Sequence, residues 1–149
     1  MAWDAERLTG PDGKDWRVPV AELEERRSRL STALAETGFE SALIDDPVEL
    51  YWLTGGRQNG MILIGADGSD VENTHWVRKS LQRAKFESGG DDAPDPITAQ
   101  PRMRQMTDAL RSLGATSAPA MLAGKMPHDR WQYFYRRMST LGEMQDATY

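Results

Sequence analysis

The chain has 149 residues, the usual length of a single domain, and it is long enough to bury a hydrophobic core. Its formal net charge of -5 argues against a nucleic-acid-binding role, because phosphate contacts need clustered positive charge. The absence of cysteine excludes disulfides, and the lack of a long apolar run or signal peptide predicts a cytoplasmic protein without a transmembrane helix.

Residues 1–17 mix charges, proline and glycine, and they predict an irregular leader that docks through Trp3 or Trp16. Pro19 suits the first turn of a helix, and Gly38 is placed to end it. Between them an apolar stripe recurs at helical spacing. Its residues are Val20, Leu23, Leu30 and Leu34. The arginines at positions 26, 27 and 29 are expected on the polar side of this helix.

After this helix, short apolar segments alternate with helical patterns. The predicted strands cover residues 39–44, 61–65, 71–77 and 120–123. Asp67-Gly68 predicts a hairpin turn between the second and third of these strands, and Ile97 is expected in a brief strand. Residues 143–148 are expected to form a closing strand or an extended tail.

The later helical patterns begin beside a proline or end beside a glycine. The turn at Asp46-Pro47 leads into one or two helical turns before the Gly55-Gly56 loop. Further helices are predicted over residues 78–86, 101–113 and 127–138, with an acidic loop over 88–96. The last helix has an apolar face of Trp131, Phe134, Tyr135 and Met138. Strands alternating with helices, plus one hairpin, predict a single α/β domain with a mixed sheet flanked by helices.

The residues by themselves do not make a catalytic set. His75 and His128 have no other ligand at metal-binding spacing, so we expect His75 to be an ordinary surface or half-buried histidine. The sequence has no nucleophile elbow, and no phosphate-binding lysine follows Gly55-Gly56. The aromatic and basic residues over 130–137 fall at helical spacing, which favours core packing over stacking on nucleic acid.

Several stretches together resemble the N-terminal domain of the creatinase, prolidase and aminopeptidase P family of metallopeptidases. They are the arginine-containing helix at 24–30, Tyr-Trp-Leu-Thr-Gly at 51–55, and Trp-Val-Arg followed by Arg-Ala-Lys and Glu-Ser within 76–88. The resemblance covers residues 18–149, which we take as one domain after the leader of residues 1–17.

The resemblance implies a ribonuclease H-like α/β domain that is not catalytic. In this family a C-terminal pita-bread domain holds two divalent metal ions through two Asp, one His and two Glu. That domain cleaves Xaa-Pro peptides or related C–N bonds. None of those ligands maps onto this chain, so the catalytic domain is expected to be absent from it, and no cofactor or metal is expected here.

The resemblance also implies that the domain supports assembly and contributes to a neighbouring active site. Arg57, with Gln58 and Asn59 beside it, is the candidate for pairing with a substrate carboxylate, the alternative being an ordinary exposed loop arginine. Tyr51, Trp52 and Trp76 are interface candidates, although core packing is favoured for Trp76.

The expected partners are the catalytic domain of the same protein and a neighbour in a homo-oligomer, with neither nucleic acid nor membrane. One alternative is a free-standing module that binds a small molecule or a protein, with its pocket complete near residues 55–60. A third possibility is a divergent pseudoenzyme whose second domain has lost its metal ligands.

Overall fold

The computed structural model describes residues 15–142 and 144–148. Its helices are α1 (Val20–Thr37), α2 (Pro47–Thr54), α3 (Leu81–Glu87), α4 (Met106–Ser112) and α5 (His128–Met138). Its strands are β1 (Ser41–Ile44), β2 (Gly60–Gly65), β3 (Thr74–Val77) and β4 (Ile97–Ala99). Short 3-10 segments stand at Gly90–Asp92, Met103–Gln105, Ala123–Lys125 and Ser139–Leu141.

The four strands form one mixed sheet in the order β1-β2-β3-β4. β2 pairs antiparallel with both β1 and β3, which confirms the predicted hairpin. β4 pairs parallel with β3, with Ile97 opposite His75, so the brief strand expected at Ile97 is present. The single α/β domain with a mixed sheet is therefore confirmed.

The two faces of the sheet carry separate cores, because successive residues of a strand point to opposite sides. Ile62 and Ile64 of β2 pack with Leu34 of α1 and with α2. Met61 and Leu63 point to the other face, where α4 and α5 cover them. Since helices cover both faces, every residue of β2 is buried and the strand has an unbroken apolar sequence.

Helix α1 begins and ends where the sequence predicts. Pro19 precedes its first residue, and Gly38 ends it with φ of 80°, a conformation that glycine adopts without steric cost. The expected position of Arg27 on the polar side is wrong, because its side chain is 6% exposed. Arg27 stands four residues after Leu23 and three before Leu30, which places it within the apolar stripe.

Several predicted strands are shorter than expected, and β1 itself begins at Ser41 rather than at residue 39. Residues 71–73 lie outside β3, because the side chain of Asn73 accepts the hydrogen bond of the Gly65 N–H at 2.9 Å in place of a backbone partner. The strand expected over 120–123 is reduced to isolated bridges, in which Ala120 pairs with Ala42 and Met121 with Asp146. The closing strand expected over 143–148 is limited to that bridge at Asp146, and Glu143 lies outside the described residues.

The helical predictions need three corrections. Helix α3 begins at Leu81 rather than at residue 78, after Ser80 with a left-handed φ of 58°. The predicted helix over 101–113 starts as a 3-10 turn and becomes α-helical only at Met106. In α5, Tyr135 is exposed although we predicted it on the apolar face, because Phe134 and Met138 fill the space above the sheet.

The leader is only partly described. Trp3 and the rest of residues 1–14 lie outside the described residues. Trp16 packs near Phe86 of α3, with 6.4 Å between ring centroids, and Arg17 lies over the same ring at 4.8 Å. Trp16 therefore contacts α3, although much of its side chain stays exposed.

Candidate functional site

Capping residues define both ends of helix α2. The Asp46 carboxylate accepts hydrogen bonds from the backbone N–H groups of Val48 and Glu49, at 3.2 and 3.1 Å, and so caps the helix. Pro47 occupies the first turn, and Gly55 ends the helix with φ of 71°. These ends confirm the turn, the short helix and the glycine boundary predicted from the sequence.

The outward side of α2 exposes large apolar side chains. Val48 is 71% exposed, Tyr51 43% and Trp52 37%. Trp52 is held by Arg26 of α1, which lies 5.5 Å from its ring and donates a 2.9 Å hydrogen bond to its carbonyl oxygen. Trp16 is also exposed. We call Trp16, Val48, Tyr51 and Trp52 the α2 face.

Two clefts adjoin the α2 face, and Tyr51 and Arg57 line both. The larger, of about 420 Å³, runs between Pro47 and Asn59 and also exposes Gly56 and Gln58. The second, of about 360 Å³, lies toward Trp16, Arg83 and Glu87. Arg57 therefore lies beside exposed aromatic side chains, and tyrosine, tryptophan and arginine are the residues most enriched in binding hot spots.

The two glycines of the loop are explained by the close approach of Glu87. A Cβ added to Gly55 would lie 3.3 Å from the Glu87 carbonyl oxygen, and one added to Gly56 would lie 3.3 Å from the Glu87 carboxylate. Gly55 also needs its positive φ. The glycines serve this contact between α3 and the loop.

Glu87 is buried at 2% exposure and accepts three hydrogen bonds. The donors are the Arg57 backbone N–H at 2.7 Å, the Gln58 side-chain amide at 3.1 Å and the Arg83 guanidinium at 2.7 Å. Next to it, the Ser88 hydroxyl donates to the Thr54 carbonyl at 2.6 Å. The end of α3 thus fastens the loop after α2.

The predicted site residues do not behave alike. The Arg57 side chain is exposed, and within the described residues its guanidinium has neither a hydrogen-bond nor an ion-pair partner. The Gln58 side chain is already bonded to Glu87. Asn59 is exposed at the edge of the larger cleft, and its carbonyl accepts the Arg78 N–H at 2.9 Å. Arg57 and Asn59 are therefore the two side chains of this set that face solvent.

Among the interface candidates, Tyr51 and Trp52 lie on the surface and Trp76 does not. Trp76 is 4% exposed and packs in the core beneath α4 and α5, opposite Met61 of β2. This is the role that the sequence favoured for it, and it leaves Trp76 without a surface for a partner.

A charged cleft of about 300 Å³ lies on the other side of Pro47 and Asn59. Its charges are largely paired. Arg130 of α5 donates to Asp45 at 2.7 Å, and Lys125 lies 2.8 Å from Glu49. Asp45 and Asp46 thus act as an ion-pair partner and a helix cap, in line with the turn role predicted for them.

A buried polar cluster on the far side of the domain was not predicted. Arg27 of α1 forms an ion pair with Asp95, and both side chains are 6% exposed. Burial lowers the pKa of Arg27 and raises the pKa of Asp95, because it disfavours the charged form of each group. The attraction between the two opposite charges has a smaller effect in the opposite direction on each pKa.

His75 lies in β3 near this cluster. The expected surface or half-buried position is wrong, because His75 is 2% exposed. Burial, with a smaller effect of the Arg27 charge, lowers its pKa to about 4, so it is neutral at pH 7.

No metal centre is evident in the part of the chain that the structure describes, where no three His, Asp or Glu side chains come together to hold an ion. The helices described there include none with the length and hydropathy needed to cross a bilayer.

Sequence reasoning missed Glu87 and Arg27 for the same reason. Each is a charged residue at an apolar position of a helix, Glu87 three residues after Ala84 and Arg27 four after Leu23. A charge at a position that the periodicity assigns to the core is the signal that would have found both.

The fold is similar to solved peptidase structures. It matches the Xaa-Pro dipeptidase from Bacillus anthracis with a TM-score of 0.66 at 13% identity, covering 85% of this chain and 34% of that one. It matches a proline dipeptidase from Streptococcus agalactiae with a TM-score of 0.62 at 17% identity, over 84% of this chain and 94% of that one.

A third similar structure is an isolated domain, the N-terminal domain of the cytoplasmic peptidase PepQ from Mycobacterium tuberculosis. The TM-score is 0.59 at 22% identity, and the match covers 83% of this chain and 91% of that one. The chain thus spans about a third of the length of the Bacillus dipeptidase and nearly all of this isolated domain.

At these identities the structural similarity establishes the fold alone, and no curated protein sequence matches the chain. The family comes from the sequence itself, since residues 26–147 match the Creatinase/Prolidase N-terminal domain. That match includes the α2 face from Val48 onward, the Arg57 loop and Glu87. The chain belongs to the creatinase/prolidase N-terminal domain family.

Proposed function

We propose that this chain is the non-catalytic N-terminal domain of a metal-dependent Xaa-Pro peptidase, in which it supports oligomer assembly and shapes the substrate pocket. The observation that carries the proposal is the position of Arg57, which is exposed and lines both clefts beside the α2 face. A surface of this composition suits a protein partner, and a guanidinium without a partner suits a carboxylate.

The pocket would be completed by residues outside this chain. The catalytic domain of the same protein would hold the two divalent metal ions that membership of this peptidase family implies. Arg57 would bind the carboxylate of a peptide substrate, and Asn59 would hydrogen-bond beside it. The similarity to a cytoplasmic peptidase supports a cytoplasmic location for the parent protein.

The first test is to read the coding sequence beyond Tyr149. Two Asp, one His and two Glu in the order of the family would support the peptidase, and a stop codon would favour the alternative below. Cleavage of an Xaa-Pro dipeptide by the purified 149-residue chain would overturn the non-catalytic role.

The role of Arg57 is tested in the full-length enzyme by comparing an Xaa-Pro dipeptide with its C-terminal amide. We expect Arg57→Gln to raise KM for the free acid about 10- to 100-fold with little change in kcat, because a charged hydrogen bond is lost. The amide, which has no carboxylate, should respond far less. Equal effects on both substrates would show that Arg57 does not bind the carboxylate.

The role in assembly is tested with two tyrosines of equal exposure. Tyr51 on the α2 face and Tyr133 on α5 are both 43% exposed. We expect Tyr51→Asp to weaken association of the full-length protein in sedimentation velocity at least tenfold, and Tyr133→Asp to leave it unchanged. The reverse pattern would place the interface on α5.

The second candidate function is a free-standing module that binds a small molecule or a protein. The cleft of about 420 Å³ beside Tyr51 and Arg57 favours it, because its volume lies in the range of small-molecule sites. A ligand found by thermal shift with the 149-residue chain, and lost on Arg57→Ala, would support this alternative over the first.

A further inference from the structure

Glu87 lies where a hydrophobic residue would pack. It follows Ala84 by three residues on the inner side of α3, and it is 2% exposed. A buried carboxylate is costly unless its oxygens are hydrogen-bonded, and replacing buried charges by apolar groups is often neutral or favourable. Packing alone therefore does not explain a glutamate here.

The hydrogen bonds of Glu87 point to a different role. Both carboxylate oxygens reach the loop, one through the Arg57 N–H at 2.7 Å and the other through the Gln58 amide at 3.1 Å. The loop opens with two glycines, which have the largest conformational freedom of any residue. Without a fixed acceptor, the direction of the following side chain would vary.

We propose that Glu87 is the positioning residue of this site, which holds the Arg57 backbone so that its guanidinium projects between the two clefts. The benefit of this role rests on the proposed function of Arg57. The hydrogen bonds that fix the Arg57 backbone are a property of this chain alone. Ser88 reinforces it through its bond to Thr54, so that α3 determines where the loop after α2 lies.

The test is amide hydrogen exchange of the 149-residue chain by NMR, with Glu87→Gln as the variant. The glutamine keeps the shape but has one acceptor oxygen and no charge, so at least one of the three hydrogen bonds is lost and those that remain are no longer charge-assisted. We expect exchange at the Arg57 amide to become about 10- to 100-fold faster while Leu63 in β2 is unchanged. Glu36→Gln on the exposed side of α1 is the matched control and should change neither.

Equal acceleration at Arg57 and Leu63 would show that Glu87 only stabilises the whole domain, and native exchange at Arg57 would show that it does not hold the loop. Either result overturns the proposal. If the glutamine variant does not fold, Glu87→Asp keeps the charge and shortens the side chain. Faster exchange confined to the loop then supports the proposal, and native exchange overturns it.

Kinetics of the full-length enzyme separate this inference from the function of Arg57. If both hold, Glu87→Gln raises KM for the free acid with little change in kcat, as Arg57→Gln does. If Arg57→Gln has no effect but the loop still depends on Glu87, the proposed function fails and the positioning role stands. If Arg57→Gln raises KM but the loop does not depend on Glu87, the positioning role fails and the proposed function of Arg57 stands.

Discussion

Asp95 and Glu87 are both carboxylates removed from solvent beside an arginine, yet they are held differently. Asp95 is paired with Arg27, both side chains of that pair are 6% exposed, and the Asn73 side chain also hydrogen-bonds to Asp95. Glu87 is paired with Arg83, whose side chain is 48% exposed, and it also has donors in the backbone and side chain of the loop. From this comparison we expect a buried acid with several donors to depend little on any single charge.

The difference follows from where the desolvation cost falls. In the Arg27–Asp95 pair both groups lose water, so burial lowers the pKa of Arg27 and raises the pKa of Asp95. The Arg83 side chain stays largely in water, where an ion pair contributes little to stability. The other hydrogen bonds that the Glu87 carboxylate accepts come from neutral donors of the loop. One ion pair lies in the domain interior, and the other acid contacts a surface loop.

The largest expected effect comes from removing the buried cation. Arg27→Met leaves Asp95 buried without its counter-charge, and we expect the free energy of unfolding at pH 7 to fall by about 3–5 kcal/mol in urea titrations. The double variant Arg27→Met/Asp95→Asn removes both charges and should recover much of this loss. A single variant within about 1 kcal/mol of the native protein would contradict the comparison.

The next effect is a pH dependence from His75 beside the same cluster. Its folded pKa of about 4 lies below the ordinary 6.5, so the unfolded chain takes up the proton first as pH falls. The contribution of neutral His75 to the free energy of unfolding is complete above about pH 6.5 and is lost by about pH 4. The expected change is about 3 kcal/mol.

His75→Gln should flatten this slope in the free energy of unfolding, and the exposed His128→Gln should leave it intact. Asp95 acts in the opposite sense. Its pKa is raised from 3.8, so its contribution is present below that value and is lost as pH rises through the folded pKa. An unchanged slope in His75→Gln would exclude His75 as its source.

The smallest effect is expected from the same substitution at the exposed arginine. Arg83→Met should lower the free energy of unfolding by about 1 kcal/mol or less, because Glu87 keeps the Arg57 N–H and the Gln58 amide. Urea titration beside Arg27→Met gives a direct comparison of the two pairs. If Arg83→Met and Arg27→Met lower the free energy of unfolding equally, the hydrogen-bond donors of the loop do not compensate Glu87 for the loss of the Arg83 charge.

Much of the fold could be predicted because its signals are local. The caps at Pro19 and Gly38, the Asp46-Pro47 turn and the hairpin at Asp67-Gly68 each depend on neighbouring residues. The site was predicted only in part. Arg57 is marked by its loop, whereas the Gln58 side chain turned out to be bonded to Glu87, 29 positions away in the sequence.

The sequence by itself determined the family, the alternation of helices and strands, and the glycine loop that carries Arg57, because periodicity and turn chemistry act within a few residues. Only the tertiary structure decided which charges are buried. Arg27 and Glu87 look like solvated helix residues until the sheet and the loop close over them. Their cost depends on partners that are distant in the chain, and no local pattern records those partners.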